Sequence, residues 1–192
     1  MRVSKATAAQ NRRRILTAAA RLFREQGIDG TGVDAITKAA GLTHGAFYSQ
    51  FESKEAVVAE AVRLAFDESR QAFERSSKDG KNGNALASIV ALYLARSHRD
   101  SPGNGCVVAA LGADIARQPK RVRAAFTKAL KEVLEILTGL VPGGTASRRY
   151  DDALTLFSGM VGALILARAV SEESLSRRIL ETAANRLRAD DN

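Results

Sequence analysis

Tryptophan is absent from the 192 residues, 5% are aromatic, and a single cysteine, Cys106, is present. So few rings remove the stacking platform on which single-stranded nucleic acid is held without sequence preference. One thiol excludes an internal disulfide framework and suits a reducing cytosol. The two histidines, His44 and His98, lie far apart with no cysteine or carboxylate at ligand spacing, so no metal is expected. His98 and Asp100 fall at a helix end and read as surface polar groups rather than as parts of a catalytic triad. No segment reads as a strand, so no glycine-rich phosphate loop can follow one. Neither an enzyme nor a cofactor is expected. The longest charge-free run, residues 153–167, is shorter than the ~20 residues a spanning helix needs, so no membrane partner is expected. Residues 1–14 are polar and basic with no apolar run behind them, which points to a cytoplasmic chain.

Acids are missing from the first 24 residues, which carry Arg2, Lys5, Arg12, Arg13, Arg14, Arg21 and Arg24. Nearly all of the net +8 therefore sits at this end. Beside a groove-reading element, phosphate binding is its natural use.

Such an element follows. Val33, Ile36, Ala39 and Ala40 recur at helical spacing, with Thr31 and Asp34 placed to form a capping box. Gly41 supplies a left-handed turn, and Thr43 caps a second short helix held to the core by Phe47 and Phe51. Thr43, His44, Ala46 and Tyr48 fall on its outer face, and Ser53 caps a third helix. Two short helices joined this way make a helix-turn-helix that presents the second to a major groove.

The run GLTHGAFYSQFESKEAV resembles the tetracycline-repressor (TetR) family of one-component bacterial transcription regulators, over about residues 10–60. It departs from the family pattern at Gln50, and Gly32 stands where a Thr or β-branched residue is more usual. The resemblance implies phosphate contacts from Thr31, Thr43, Tyr48 and Lys54, and base-edge contacts from His44 and Ala46. It implies a double-stranded DNA operator as partner. It also implies a homodimer, whose last two helices form a four-helix bundle with their copies.

The remaining chain reads as helices throughout, 45% of its residues being hydrophobic. Residues 1–10 read as flexible, and Ile15, Leu16, Ala19, Leu22 and Phe23 mark a first helix over 12–26. The stretch 76–84 is a break, followed by helices over about 85–96, 106–118, 119–137, 151–168 and 171–187. About nine helices are expected in an all-α chain. Residues 1–52 form a helix-turn-helix domain, and 53–192 an effector-binding and dimerisation domain. By resemblance the effector pocket lies between about Val57 and Leu140, with Phe66, Phe73, Tyr93 and Phe126 as wall candidates; the low aromatic and charged content of this region suggests a small, mainly apolar, uncharged effector. Three readings stand side by side: a ligand-released repressor, an occlusion protein without a pocket, and a thiol sensor. The last would act through Cys106, at a helix start that favours thiolate.

Overall fold

Ile15, Ala19, Leu22 and Phe23 line the buried side of the first helix, α1 (Lys5–Gln26). Its start is set by Ser4, whose hydroxyl accepts the Thr7 amide proton. The helix therefore occupies most of the segment that composition marks as flexible. In the computed structural model, residues 4–78 and 84–189 are described, so the first three residues of that expectation lie outside them. Gly27, at φ +79, ends α1.

Two short helices follow, α2 (Val33–Ala39) and α3 (His44–Tyr48). Gly41 between them has φ +61, the left-handed turn expected of it. Thr43 caps α3 by accepting the Ala46 amide at 3.4 Å. Phe47 and Phe51 are buried and 5.8 Å apart, pinning the short helix to the core. A five-residue helix has little stability of its own, so this anchorage is what keeps it formed.

The long α4 (Lys54–Lys78), capped by Ser53, packs against α1 on one side and α8 (Lys120–Leu140) on the other. It runs through Ser76 and Ser77 into the expected break, of which residues 79–83 lie outside the described ones. Next come α5 (Ala85–Tyr93), α6 (Arg96–Asp100), a 3-10 turn over Pro102–Asn104, and α7 (Val107–Ala116). The chain closes with α9 (Ala146–Ala169) and α10 (Glu173–Ala189), which pack on each other. The described residues thus form ten α-helices and no strand.

The extra helix is α6. A single helix over 85–96 was expected, but the chain turns at Leu94 and Ala95, and the Tyr93 carbonyl accepts the His98 ring Nδ1–H at 2.6 Å. At the other end, α9 begins well before its apolar run. Thr145 caps it by accepting the Arg148 amide, and Arg148 pairs with Asp152 one turn on.

α1 is fastened to the rest of the molecule by Arg24, whose side chain is 3% exposed. Its Nε donates to the Ala20 carbonyl at 3.0 Å, Nη1 to the Gly105 carbonyl at 3.1 Å, and Nη2 to Glu68 at 3.0 Å. Asp114 of α7 adds a second tie by accepting the Ile28 amide at 3.0 Å. A buried cation is tolerated when its donors are satisfied in this way. Arg24→Met keeps the apolar stem but strands the Gly105 carbonyl, and is expected to cost about 1–3 kcal/mol. The urea midpoint should fall with an unchanged m-value; an unchanged midpoint would mean that this guanidinium contributes nothing to stability.

Candidate nucleic-acid interface and ligand cavity

The outer face of α3 is ordered before anything binds it. His44 Nδ1 lies 2.5 Å from Asp34 on α2, and its ring stacks on Tyr48 with centroids 5.3 Å apart. Tyr48 rests edge-on against the buried Phe47 at 5.2 Å while staying 56% exposed. Thr43 and His44 are exposed, Ala46 is half-buried, and Lys54 sits half-buried at the first position of α4. Thr43, His44, Ala46 and Tyr48 therefore share one short helix, with Lys54 six residues past its end.

Thr31 does not join them. It is fully buried, and its hydroxyl donates to the Gly27 carbonyl at 2.8 Å. α2 begins with Gly32 at its cap and no side-chain capping bond. Asp34, the other half of the expected capping box, pairs with His44 instead. The turn after Gly27 folds Thr31 inward, so its side chain cannot reach a phosphate.

The basic start of the chain is also less free than its composition suggests. Arg12 bonds Glu60 through Nη2 and the Gln50 carbonyl through Nη1, and lies 4.1 Å over the Phe51 ring. Arg21 pairs with Glu25 and Arg24 with Glu68. Arg13 and Lys38 make no ion pair among the described residues, and Arg14 reaches only the Gly41 carbonyl. These three line a cleft of about 580 Å³ between α1 and α2. Arg12 thus positions the exit of α3 rather than offering its charge outward.

A second cavity, about 410 Å³, opens between α4, α5 and the loop before α7. Phe73, Tyr93, Leu92, His98 and Cys106 are among its walls. Of the four aromatic residues proposed to line a pocket, Phe73 and Tyr93 do so. Phe66 and Phe126 instead pack edge to face at 5.3 Å, and neither borders this cavity. Helical spacing places an aromatic side chain on a face but does not say whether that face meets a void or a neighbour.

His98 is half-buried rather than a surface group. Its Nε2 accepts the Cys106 amide at 2.9 Å and its Nδ1 donates to the Tyr93 carbonyl, which fixes the neutral Nδ1–H tautomer. Burial, opposed by the Tyr93 carbonyl and aided by the Arg168 charge, holds its pKa below the ordinary value. Cys106 caps α7 instead of occupying its first turn, and it is buried. Burial raises its thiol pKa despite the nearby Tyr93 hydroxyl and Val108 and Ala109 backbone amides, so the thiol stays protonated. The expected helix-start thiolate is overruled by desolvation.

The family described as bacterial regulatory proteins, tetR family, matches residues 15–61. The transcriptional regulator AcrR of Shigella flexneri is 41% identical over 64 residues, 33% of this chain and 30% of that protein. The transcriptional repressor NemR of Escherichia coli K12 is 25% identical over 145 residues, covering 74% of this chain and 72% of its own length. Among solved structures, a TetR regulator from Chloroflexus aurantiacus superposes with a TM-score of 0.77 at 25% identity, covering 95% of this chain and 94% of that one. The reduced form of E. coli NemR gives 0.76 at 23% identity, covering 92% and 94%. The chain spans less than a third of the first of these relatives and most of the others.

The His98 geometry has a pH consequence. Protonating Nε2 would set its new N–H against the Cys106 amide, with the Arg168 cation nearby and only the Tyr93 carbonyl to oppose them. A folded-state pKa below the unfolded value means full stability above about pH 6.5, lost as pH falls through the lower, folded value. The wild-type urea midpoint should hold from about pH 7.5 to 6.5 and drop as pH falls below about 6.5, and His98→Gln should drop less below that value. Equal drops in both proteins would show that His98 is not the titrating group.

Proposed function

We propose that the chain is a TetR-family DNA-binding transcriptional regulator and, more narrowly, a ligand-released repressor acting as a homodimer on a palindromic operator. The observation that carries the DNA half is the capped, buried-aromatic-anchored α3, with its outer face ordered by the Asp34–His44–Tyr48 contacts. Thr43, Tyr48 and Lys54 contact phosphates, and His44 and Ala46 meet base edges. With Nδ1 engaged by Asp34, His44 keeps Nε2 for a base. Arg13, Arg14 and Lys38 supply uncompensated charge alongside.

Residues 1–52 act as the reading unit and 53–192 as the sensing and pairing unit. The pairing surface is α9 with α10. α9 is long and apolar enough to cross a bilayer by length and composition alone, yet less than half of its apolar stretch is buried within one copy. It packs on α8 and α10, and Leu154, Ile165 and Leu166 remain exposed along it, with Leu175 on α10. A second copy covering this face satisfies it in a cytoplasmic protein without a membrane. The cavity beside Tyr93 is the effector site, which favours a ligand-responsive regulator over an occlusion protein. The relative crystallised in a reduced form invites a redox reading of Cys106. The buried, protonated thiol favours reversible binding over that alternative.

One duplex selected from a random pool tests the proposal with two variants. Lys54→Ala should weaken binding to all sequences and lower the salt slope by about 1. Leu166→Glu should sediment as a monomer and lose its preference for two half-sites over one, because an unpaired charge would be buried in the interface. Wild-type protein that fails to prefer any duplex, or a Leu166→Glu protein that remains fully dimeric, would contradict it.

A further inference from the structure

Two buried side-chain atoms among the described residues lack a hydrogen-bond partner: the Tyr93 hydroxyl and Nη1 of Arg168. Both can donate, and both lie close to the cavity between α4 and α5. Tyr93 forms part of its wall, its ring 4.7 Å from His98 and 6.3 Å from Phe73. Arg168 sits directly behind that wall. Its Nη2 donates to the His98 carbonyl at 2.7 Å and its Nε to the Arg99 carbonyl at 3.0 Å. A Cβ placed on Gly105, a wall residue, would come within 3.0 Å of the Arg168 guanidinium. No acid forms an ion pair with Arg168 among the described residues, Asp100 acts on it only from beyond that distance, and its positive charge reaches Tyr93 and Cys106 at the wall.

The other polar groups of the cavity point to the same chemistry. The Tyr93 phenol stays protonated, held so by burial and by the neighbouring Cys106 despite Arg168. The Cys106 thiol is protonated as well, so the inner end offers donors. Both ring nitrogens of His98 are already used. Arg75 lies at the cavity wall with no ion pair among the described residues, while the one carboxylate there, Glu68, is engaged by Arg24. Phe73, Leu92 and Ala72 supply an apolar body to the space. Unpaired buried donors are costly, and the cost is removed when a ligand brings the missing acceptor. A volume of about 410 Å³ is at the small end of ligand pockets.

We propose that this cavity takes a small organic acid of one or two rings, its carboxylate accepting from the Tyr93 hydroxyl in the field of Arg168 and its apolar body lying against Phe73 and Leu92. This rests on the reading of the cavity as the effector site, and it replaces the uncharged effector that a low charge content suggests.

Calorimetric titration of the full-length protein at neutral pH tests the class with three ligands of one shape: 2-naphthoate, 2-naphthamide and 2-naphthylmethylamine. The acid should bind about tenfold tighter than the amide, with the amine weakest. Tyr93→Phe should weaken the acid and the amide alike, since both present an oxygen to the phenol. Arg168→Gln, which can still donate to the backbone carbonyls, should erase most of the preference for acid over amide. Circular dichroism and the melting temperature report whether each variant is folded. If Arg168→Gln destabilises the protein, the wild-type ranking of the three ligands still decides. An amide or amine that binds as tightly as the acid, no binding by any of the three, or a folded Tyr93→Phe protein with unchanged affinity would overturn the proposal. The regulator reading is judged separately by ligand-free operator binding, which none of these results alters.

Discussion

The buried guanidinium of Arg24 is the interaction on which the rest of this structure depends. It spends one donor within its own helix and places the other two on Glu68 of α4 and on the carbonyl of Gly105. An unpaired charge in that position would be prohibitively expensive, so α1, α4 and the loop before α7 must come together for any of them to be stable there. That loop is also the wall of the cavity. From Gly105 the next residue is Cys106, whose amide is held by His98, whose other ring nitrogen is held by Tyr93. The cavity wall is thus one hydrogen bond away from α1.

A second set of contacts leads from α1 to α3. Arg12 joins Glu60 on α4 to the carbonyl of Gln50 just past α3, while covering the Phe51 ring. Phe51 and Phe47 in turn hold α3, and Phe47 supports Tyr48. A ligand that shifted the loop at Gly105 would therefore move α1 through Arg24 and α3 through Arg12. Couplings between sites in regulators are typically ~1–3 kcal/mol, a scale that a change in a few charged hydrogen bonds can supply. The surface pair between Arg121 of α8 and Glu52 lies nearby, but its exposure makes it a minor contributor.

Much of this was legible in the sequence wherever a local signal sufficed. The left-handed Gly41, the caps Thr43 and Ser53, and the Phe47–Phe51 spacing are set by neighbours a few residues away, and they mark the helix-turn-helix without tertiary information. Thr31 was misread because a hydroxyl near a helix start looks like a cap, whereas the turn at Gly27 carries it inward to a backbone carbonyl. The ion pairs within the basic stretch of α1 were hidden for another reason. Glu60 and Glu68 lie more than forty residues from Arg12 and Arg24, and nothing local announces that they will neutralise them. The same distance hides the cavity: Phe66 and Phe126 look equivalent to Phe73 and Tyr93 until α4 and α8 are packed. His98 carried no signal beyond its isolation, and only the turn at Leu94 shows why an imidazole stands there.

If Arg24 and Arg12 bind the reading unit into the larger helical body, the two should not open independently. Native-state hydrogen exchange on the wild-type protein measures this most directly, since it reports the opening free energy of each helix separately. The slowest amides of α1 should exchange with the same free energy and denaturant dependence as those of α4 and α8, in one cooperative unit. A distinct, lower-energy opening confined to α1, α2 and α3, with α4 and α8 still protected, would contradict it.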